Sequence, residues 1–310
     1  MILCITLNPV LDTTFFVDEM RPIYRTEAQR VTYVAGGKGD NVARALGVLG
    51  EPAHALVALG GDTGRHVANL LAGEGITATP AWMSGETRLQ ITVVDRALVQ
   101  RSFYAPAAPF TAADRAEFRR RFEDLLPGAD AVCISGSAPD ARAAELIPEL
   151  LTLARDRGLP TLLDSSGEGL RQGVTAAPRI IKVNLAEAAA LLGGRLVAPE
   201  DQVAALDELR QWGSDWAVLT LGEQGALFAA GDRRWSARPP KVEAINPIGS
   251  GDAMAAGLMA GLVRGLPPEA CFRLGMAAAA ANTLTWDACR FDAAAVETLL
   301  PQIAMVDVSV

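Results

Sequence analysis

Aromatic residues are scarce in this sequence, at 5% of 310 positions, and so is positive charge: the formal net charge is −8, and no basic run is longer than Arg119-Arg120-Arg121. Nucleic-acid binding needs basic stripes and stacking rings, and an anionic membrane surface needs the former, so the composition argues against both partners. The four cysteines, Cys4, Cys133, Cys271 and Cys289, show no Cys-x-x-Cys spacing. Cys4 and Cys133 lie in strand-like apolar runs where thiols are commonly buried, so neither a disulfide framework nor a cysteine-held metal is expected. No apolar segment reaches the length a bilayer requires, and the opening residues read as a strand without a basic, cleavable leader. These absences predict a soluble, cytoplasmic protein.

Two well-known phosphate signatures are missing as well. A Walker A loop requires Gly-Lys followed by Ser or Thr, but the one Gly-Lys pair, Gly37-Lys38, is followed by Gly39. A dinucleotide fingerprint beginning at Gly249 would need glycine or alanine where Met254 stands. Internal repeats and low-complexity linkers are also lacking.

Half of the residues are apolar and 21% are charged, which suits a globular chain with a sizeable core. Residues 2 to 7 read as a buried strand ended by Asn8-Pro9, with Asp12 at its exit, where parallel sheets carry their ligands. Residues 13 to 35 are strand-like around a polar middle containing Arg25, and residues 88 to 104 read as a hairpin; together they predict a small lid sheet, with Arg88 where the lid joins the body. Elsewhere strands and helices alternate. The segment Gly36-Gly37-Lys38-Gly39-Asp40-Asn41 introduces a helix through Val42, Ala45, Leu46 and Leu49, and Asp62 is placed as the cap of the next one. Turns at 135 to 137 and 164 to 167 each follow a strand.

The chain is organised around Asn246-Pro247-Ile248-Gly249-Ser250-Gly251-Asp252, followed by an apolar run from 253 to 263. Glycines beside a buried helix start should bring unpaired amides together into an anion site. A carboxylate there either caps the helix or takes a proton from a nucleophile aimed at the bound phosphate, and the loop alone leaves both open. Asn184-x-x-Glu187 likewise has the form of a capping box, which is compatible with a metal role.

In this order the motifs resemble the ribokinase-like (phosphofructokinase B type) carbohydrate kinases, most closely the branch of 1-phosphofructokinase, tagatose-6-phosphate kinase and the minor 6-phosphofructokinase. The resemblance runs from the Thr6-Leu7-Asn8-Pro9 start to about residue 292. It implies an α/β fold, a three-layer α/β/α arrangement with a mostly parallel central sheet, as a single domain over 1–310 with lid strands inserted at about 13–35 and 87–106. By the same resemblance Asp252 is the catalytic base, and Gly249, Ser250 and Gly251 form the anion hole. Asp12, Arg25, Gly37, Lys38, Asn41, Arg88 and Ser137 fall on the substrate side, with Arg88 meeting a phosphate already on the sugar. Lys182, Asn184, Thr220, Gly222, Gly225 and Asn282 fall on the ATP side, with Glu187 toward Mg²⁺.

The implied reaction is ATP-dependent phosphorylation of a ketose phosphate (fructose 1-phosphate, fructose 6-phosphate or tagatose 6-phosphate) at a primary hydroxyl, by a homodimer whose lids pack together through Phe15, Phe16, Ile91 and Val93. The alternatives are a kinase of an unphosphorylated sugar or nucleoside, and a non-catalytic sugar or nucleotide sensor. Three departures lie on the sugar side: Asp40 where an apolar residue is usual, Gln90 where asparagine is frequent, and Ser137-Ala138-Pro139-Asp140 in place of Ser-Leu-Pro-Pro-Gly. An acidic Asp40 would disfavour a second phosphate if it faces the site.

Overall fold

The computed structural model describes residues 1–20 and 25–309. The chain begins β1 (Ile2–Thr6), β2 (Val10–Phe16), β3 (Arg30–Gly36), α1 (Lys38–Val48), β4 (Ala53–Leu59), α2 (Gly61–Gly73), β5 (Ala78–Trp82), β6 (Arg88–Val94), β7 (Gln100–Tyr104) and α3 (Ala112–Leu125). It continues through β8 (Ala131–Ser135), α4 (Ala141–Ala144), α5 (Leu146–Arg155), β9 (Thr161–Asp164), α6 (Gly167–Gly173), β10 (Ile180–Asn184), α7 (Leu185–Leu192), α8 (Pro199–Arg210) and β11 (Trp216–Thr220). The last elements are β12 (Ala226–Ala230), β13 (Arg233–Arg238), α9 (Ser250–Val263), α10 (Pro268–Asn282), α11 (Ala293–Leu299) and β14 (Ala304–Asp307).

Ten strands form the main sheet in the order β14-β13-β12-β11-β10-β9-β8-β1-β4-β5. Pairing is parallel from β5 to β11 and antiparallel through β12, β13 and β14. Alternate side chains of each strand enter different cores, Ile2 and Cys4 on one face and Leu3 and Ile5 on the other. The first core is closed by α1, α2, α9, α10 and α11, and the second by α3, α5 and α8, which makes three layers. Helix α9 is apolar all round because α1 and α10 pack against it above the sheet. The order of the strands reverses between β1 and β8, and ligands of open α/β sheets gather at the carboxyl ends beside such a switch.

The second sheet runs β3-β2-β6-β7, with β2 and β6 parallel and both outer pairs antiparallel. Strict alternation gives it two unlike faces: Asp12, Arg88, Gln90 and Tyr104 share one, while Tyr33, Leu89, Ile91, Val93 and Phe103 share the other. One local expectation needs correction, and one strand was not foreseen. Helix α2 starts at Gly61 after Gly60, with Asp62 inside its first turn and paired to Arg65 rather than capping. The edge strand β5 has no apolar alternation to announce it and contains Pro80, which an edge tolerates.

Candidate active site

Asp252 stands in the first turn of α9, almost fully buried, and it does not cap the helix: the N-cap is Gly249, and no side chain bonds the end. Its Oδ2 accepts a hydrogen bond from Asn41 Nδ2 at 2.8 Å instead. Close by, the buried Asp164 at the end of β9 accepts from two lysines, Lys182 Nζ at 2.7 Å and Lys38 Nζ at 3.1 Å. Lys38 also lies 3.9 Å from Glu187 Oε1.

Burial, then the negative charge of Asp164, pushes the Asp252 carboxyl up to about 6, against the opposing pull of Lys38, Asn41 and Lys182. Asp164 goes the other way: burial would raise it, but its two lysines hold it below the ordinary carboxylate range. A proton arriving at this pair settles on Asp252, since Asp164 would have to give up two ammonium partners to accept it. Lys38 is raised well above an ordinary lysine, because the Asp164, Asp252 and Glu187 carboxylates outweigh its desolvation. Lys38 is therefore charged at neutral pH beside a carboxylate that is ionised yet basic.

The loop before α9 is shaped for close approach. Gly249 has a left-handed φ of 86°, and a Cβ there would lie 2.7 Å from Ala288 Cβ. Asn282, fully buried at the end of α10, donates to Ile248 O at 2.9 Å and Ser250 Oγ at 3.1 Å and accepts from the Cys289 amide at 2.7 Å. Its side chain is thus spent on holding the loop. Residues 249 to 251 remain half-buried. One detail differs from expectation: the Ser250 amide is turned back onto Pro247 O at 3.2 Å, while Gly251 and Asp252 occupy first-turn positions whose amides an α-helix leaves unpaired. The capping box is present, with Asn184 Oδ1 accepting from the Glu187 amide and Glu187 Oε2 accepting from the Asn184 amide, each at 2.9 Å. Thr220 donates to Val183 O at 3.4 Å, and the following turn closes from Leu221 N to Gly225 O with left-handed Gly222 and Gly225.

On the other side of the cleft, Asp12 Oδ1 is buried without a hydrogen-bond partner among the described residues. Burial raises Asp12 to about 6, opposed by Arg88 and Arg44. A Cβ at Gly36 would collide with Asp12 Oδ2, which explains a glycine beside this carboxylate. Arg88 is held at the joint between sheets by the carbonyls of Pro9 at 3.4 Å and Asn8 at 3.2 Å, with Tyr104 6.0 Å below its guanidinium. Asn8 in turn donates to Ser137 Oγ at 3.0 Å, and neighbouring Gly136 lies against Lys38. A small pocket lined by Asn8, Gly60, Gly85, Thr87, Arg88 and Pro139 opens beside the guanidinium, away from Asp252.

The fold thus brings Gly37, Lys38, Asn41, Lys182, Glu187 and Asp252 together, and Asp12, Arg88 and Ser137 along the adjoining wall. It leaves Arg25 out: that side chain is exposed and pairs with Glu27 at 3.2 Å. Asp40 does not face the cleft. It is fully buried, accepts from Thr6 Oγ1 at 2.8 Å, and desolvation raises it to about 7. Gln90 bonds Thr92 at 3.3 Å, and Asp140 caps α4 while accepting from the Phe110 amide at 2.8 Å. Sequence reasoning gave no role to Asp164, although a carboxylate closing an apolar strand and opening a turn was the signal. Asn8, noted as a strand stop, also belongs here.

The family model described as "pfkB family carbohydrate kinase" matches residues 5–290. The chain belongs to that family. One pfkB relative by sequence, an "ATP-dependent 6-phosphofructokinase isozyme 2" of Mycobacterium tuberculosis, is 34% identical over 288 residues, covering 92% of this chain and 84% of that protein. Among solved structures, the phosphofructokinase-2 of Escherichia coli in complex with potassium is 29% identical with a TM-score of 0.91, covering 97% of this chain and 98% of the other. A possible 1-phosphofructokinase of Thermotoga maritima is 27% identical with a TM-score of 0.85, covering 99% of each chain. Membership makes this chain a carbohydrate kinase of α/β fold. Among the described residues no helix is long and apolar enough to cross a membrane.

Proposed function

We propose that the protein moves the γ-phosphoryl group of ATP to a primary hydroxyl of a ketose phosphate such as fructose 6-phosphate, fructose 1-phosphate or tagatose 6-phosphate. The observation that carries this is Asp252, a raised and still ionisable carboxylate set into the half-buried glycine turn at the start of α9. Such a base accepts the hydroxyl proton as the new O–P bond forms. The hydrogen bond from Asn41 fixes which carboxylate oxygen is occupied and leaves the other for the substrate. The first-turn amides and the positive end of α9 meet the charge that grows on the transferred phosphoryl oxygens, and Lys38 and Lys182 supply fixed positive charge nearby. Asp12, with its unpartnered buried oxygen, accepts hydrogen bonds from sugar hydroxyls, and Arg88 binds the phosphate the sugar brings. The small sheet acts as a lid that keeps water from the reacting centre.

Mg²⁺ is held by one or two carboxylates plus phosphates and water, and Glu187, whose Oε2 closes the capping box and whose Oε1 lies 3.9 Å from Lys38, is the carboxylate that would hold it; the ion would neutralise phosphate charge. The outer face of the lid exposes Tyr33, Leu89, Ile91 and Phe103, with Phe15 and Val93 on the same side, and we assign it to a lid-to-lid homodimer; Phe16, expected there, shares the Asp12 face instead, under the Arg30 guanidinium.

Turnover with ATP, with and without Mg²⁺, on the three ketose phosphates and on their unphosphorylated sugars tests this reading. Arg88→Ala should raise KM for phosphorylated sugars about ten- to a hundredfold, the worth of hydrogen bonds to a charged group, and leave unphosphorylated sugars unaffected. Absence of turnover on every sugar would overturn the reading.

A further inference from the structure

Behind the site, a line of buried polar contacts runs from Asp252 to the protein surface. Asn41, which donates to Asp252, has its other amide atom engaged: Oδ1 accepts from Arg44 Nη1 at 2.7 Å, one turn along α1. Arg44 also gives Nη2 to Ala35 O at 3.2 Å and Nε to Glu74 Oε2 at 2.7 Å, and its side chain is only 6% exposed. Glu74, at the end of α2, is held from the far side by Arg290 at 2.8 Å. Arg290 follows Cys289, whose amide and thiol are bonded to Asn282 and to Gly249 O.

We propose that Arg44 is a positioning residue for the reaction: by occupying Asn41 Oδ1 it forces the Asn41 amide to present its NH₂ to Asp252, while Glu74 and Arg290 fix the guanidinium. A guanidinium has donors and no acceptor, so only the oxygen of Asn41 can face it. Without that constraint the amide is free to turn over, which would set its oxygen against the Asp252 carboxylate and favour the protonated base. The line also joins α1, α2 and the residues behind the glycine turn, so base and anion hole are referenced to one frame. This rests on the kinase reading of Asp252. The other titratable groups around Asp252 are Lys38 from α1, Asp164 from β9, Lys182 from β10, Cys133 from β8 and Cys289 after α10. Arg44 is the one that reaches it through an amide.

The test compares Arg44→Met, Arg44→Lys and, as a control, Arg264→Met, which breaks a similar Arg–Glu pair and a bond to Leu49 O at the other end of α1. In Arg44→Met, kcat should fall about ten- to a hundredfold with KM for ATP little changed, and the acid limb of the pH profile should move to higher pH. Arg44→Lys should recover part of kcat, and Arg264→Met should lower the melting temperature only. The side-chain amide resonances of Asn41, assigned by their loss in Asn41→Asp, should shift or broaden in Arg44→Met without any substrate present. Unaltered Asn41 resonances, or a kcat and acid limb equal to those of the control, would overturn the proposal. The amide readout is independent of turnover, so a wild-type enzyme inactive on every sugar would sink the kinase reading by itself.

Discussion

The carboxylate of Asp252 is the most exposed commitment of this structure to chemistry, and pH tests it directly. Its rise from the ordinary 3.8 to about 6 means that the folded protein disfavours the charged form by roughly 3 kcal/mol. A single base of that kind is about nine-tenths ionised at pH 7, half ionised at pH 6 and one-tenth ionised at pH 5. We expect kcat/KM to be flat above about pH 7 and to fall tenfold per pH unit below about pH 6. Asp252→Asn should then lower kcat about 10²- to 10⁴-fold, the usual worth of a general base.

The same substitution carries a stability signature of opposite sign. The folded state binds this proton more tightly than the unfolded chain, so the ionised carboxylate destabilises the fold above about pH 6, and the cost disappears below about pH 4. Asn mimics the neutral form and escapes the cost. Asp252→Asn should therefore be more stable than wild type at pH 7.5, by at most about 3 kcal/mol or about 4 °C in Tm, and equal to it at pH 4. Steady-state turnover with a coupled ADP assay and melting by calorimetry at both pH values supply the data. A kcat/KM that stays level from pH 5 to 8 in folded protein, or a variant within tenfold of wild type, would refute the argument.

The charge balance around Asp164 gives a further expectation. Asp164→Asn removes the repulsion that helps raise Asp252, so the acid limb should move to lower pH while kcat drops, because the base is weaker and two ammonium groups lose their shared partner; a limb that stays in place would contradict the coupling. Gly249→Ala meets a left-handed φ and the Ala288 methyl, and should cost about 1–2 kcal/mol of stability in urea unfolding for the conformation alone, with kcat more affected than sugar KM; a variant with wild-type kcat would show that the turn need not be held. Ile91→Asp on the exposed face of the lid should yield monomers in sedimentation at micromolar concentration, whereas wild-type protein that is itself monomeric would remove the dimer.

How far the sequence reaches depends on how local the governing contact is. Strands β1 and β8 are apolar runs closed by Thr6 and Ser135, Thr111 meets Asp114 as a capping box, and Asn184 with Glu187 forms the one its spacing requires. These are contacts within a few residues, where spacing is geometry. The site was legible where a backbone shape demanded glycine, as at Gly249, or where motifs kept the order of a family. It was illegible where meaning came from burial. Asp40 looked like a charge at the entry, yet the fold turns it under the Gly37 turn onto Thr6, 34 positions away. Asp140 seemed to alter a substrate loop, but it is a cap. Arg44 has no role that its neighbours in sequence announce, since its partners include the end of α2 and Ala35.

Asp164 shows why such a residue matters more than its neighbours in sequence suggest. Two lysines near a carboxylate base are a problem, because positive charge close to Asp252 lowers its proton affinity and weakens it as an acceptor. They are also a problem for specificity, since unpaired ammonium groups would reach toward any phosphate in the cleft. A buried carboxylate bonded to both solves the two at once: it fixes the lysines at 2.7 and 3.1 Å, and its own charge returns to Asp252 the basicity that they remove. The price appears as buried charge, which a core tolerates only when it is fully paired. That pairing is why the lysines, the base and the glycine turn can share one site while Asp252 remains the group that titrates.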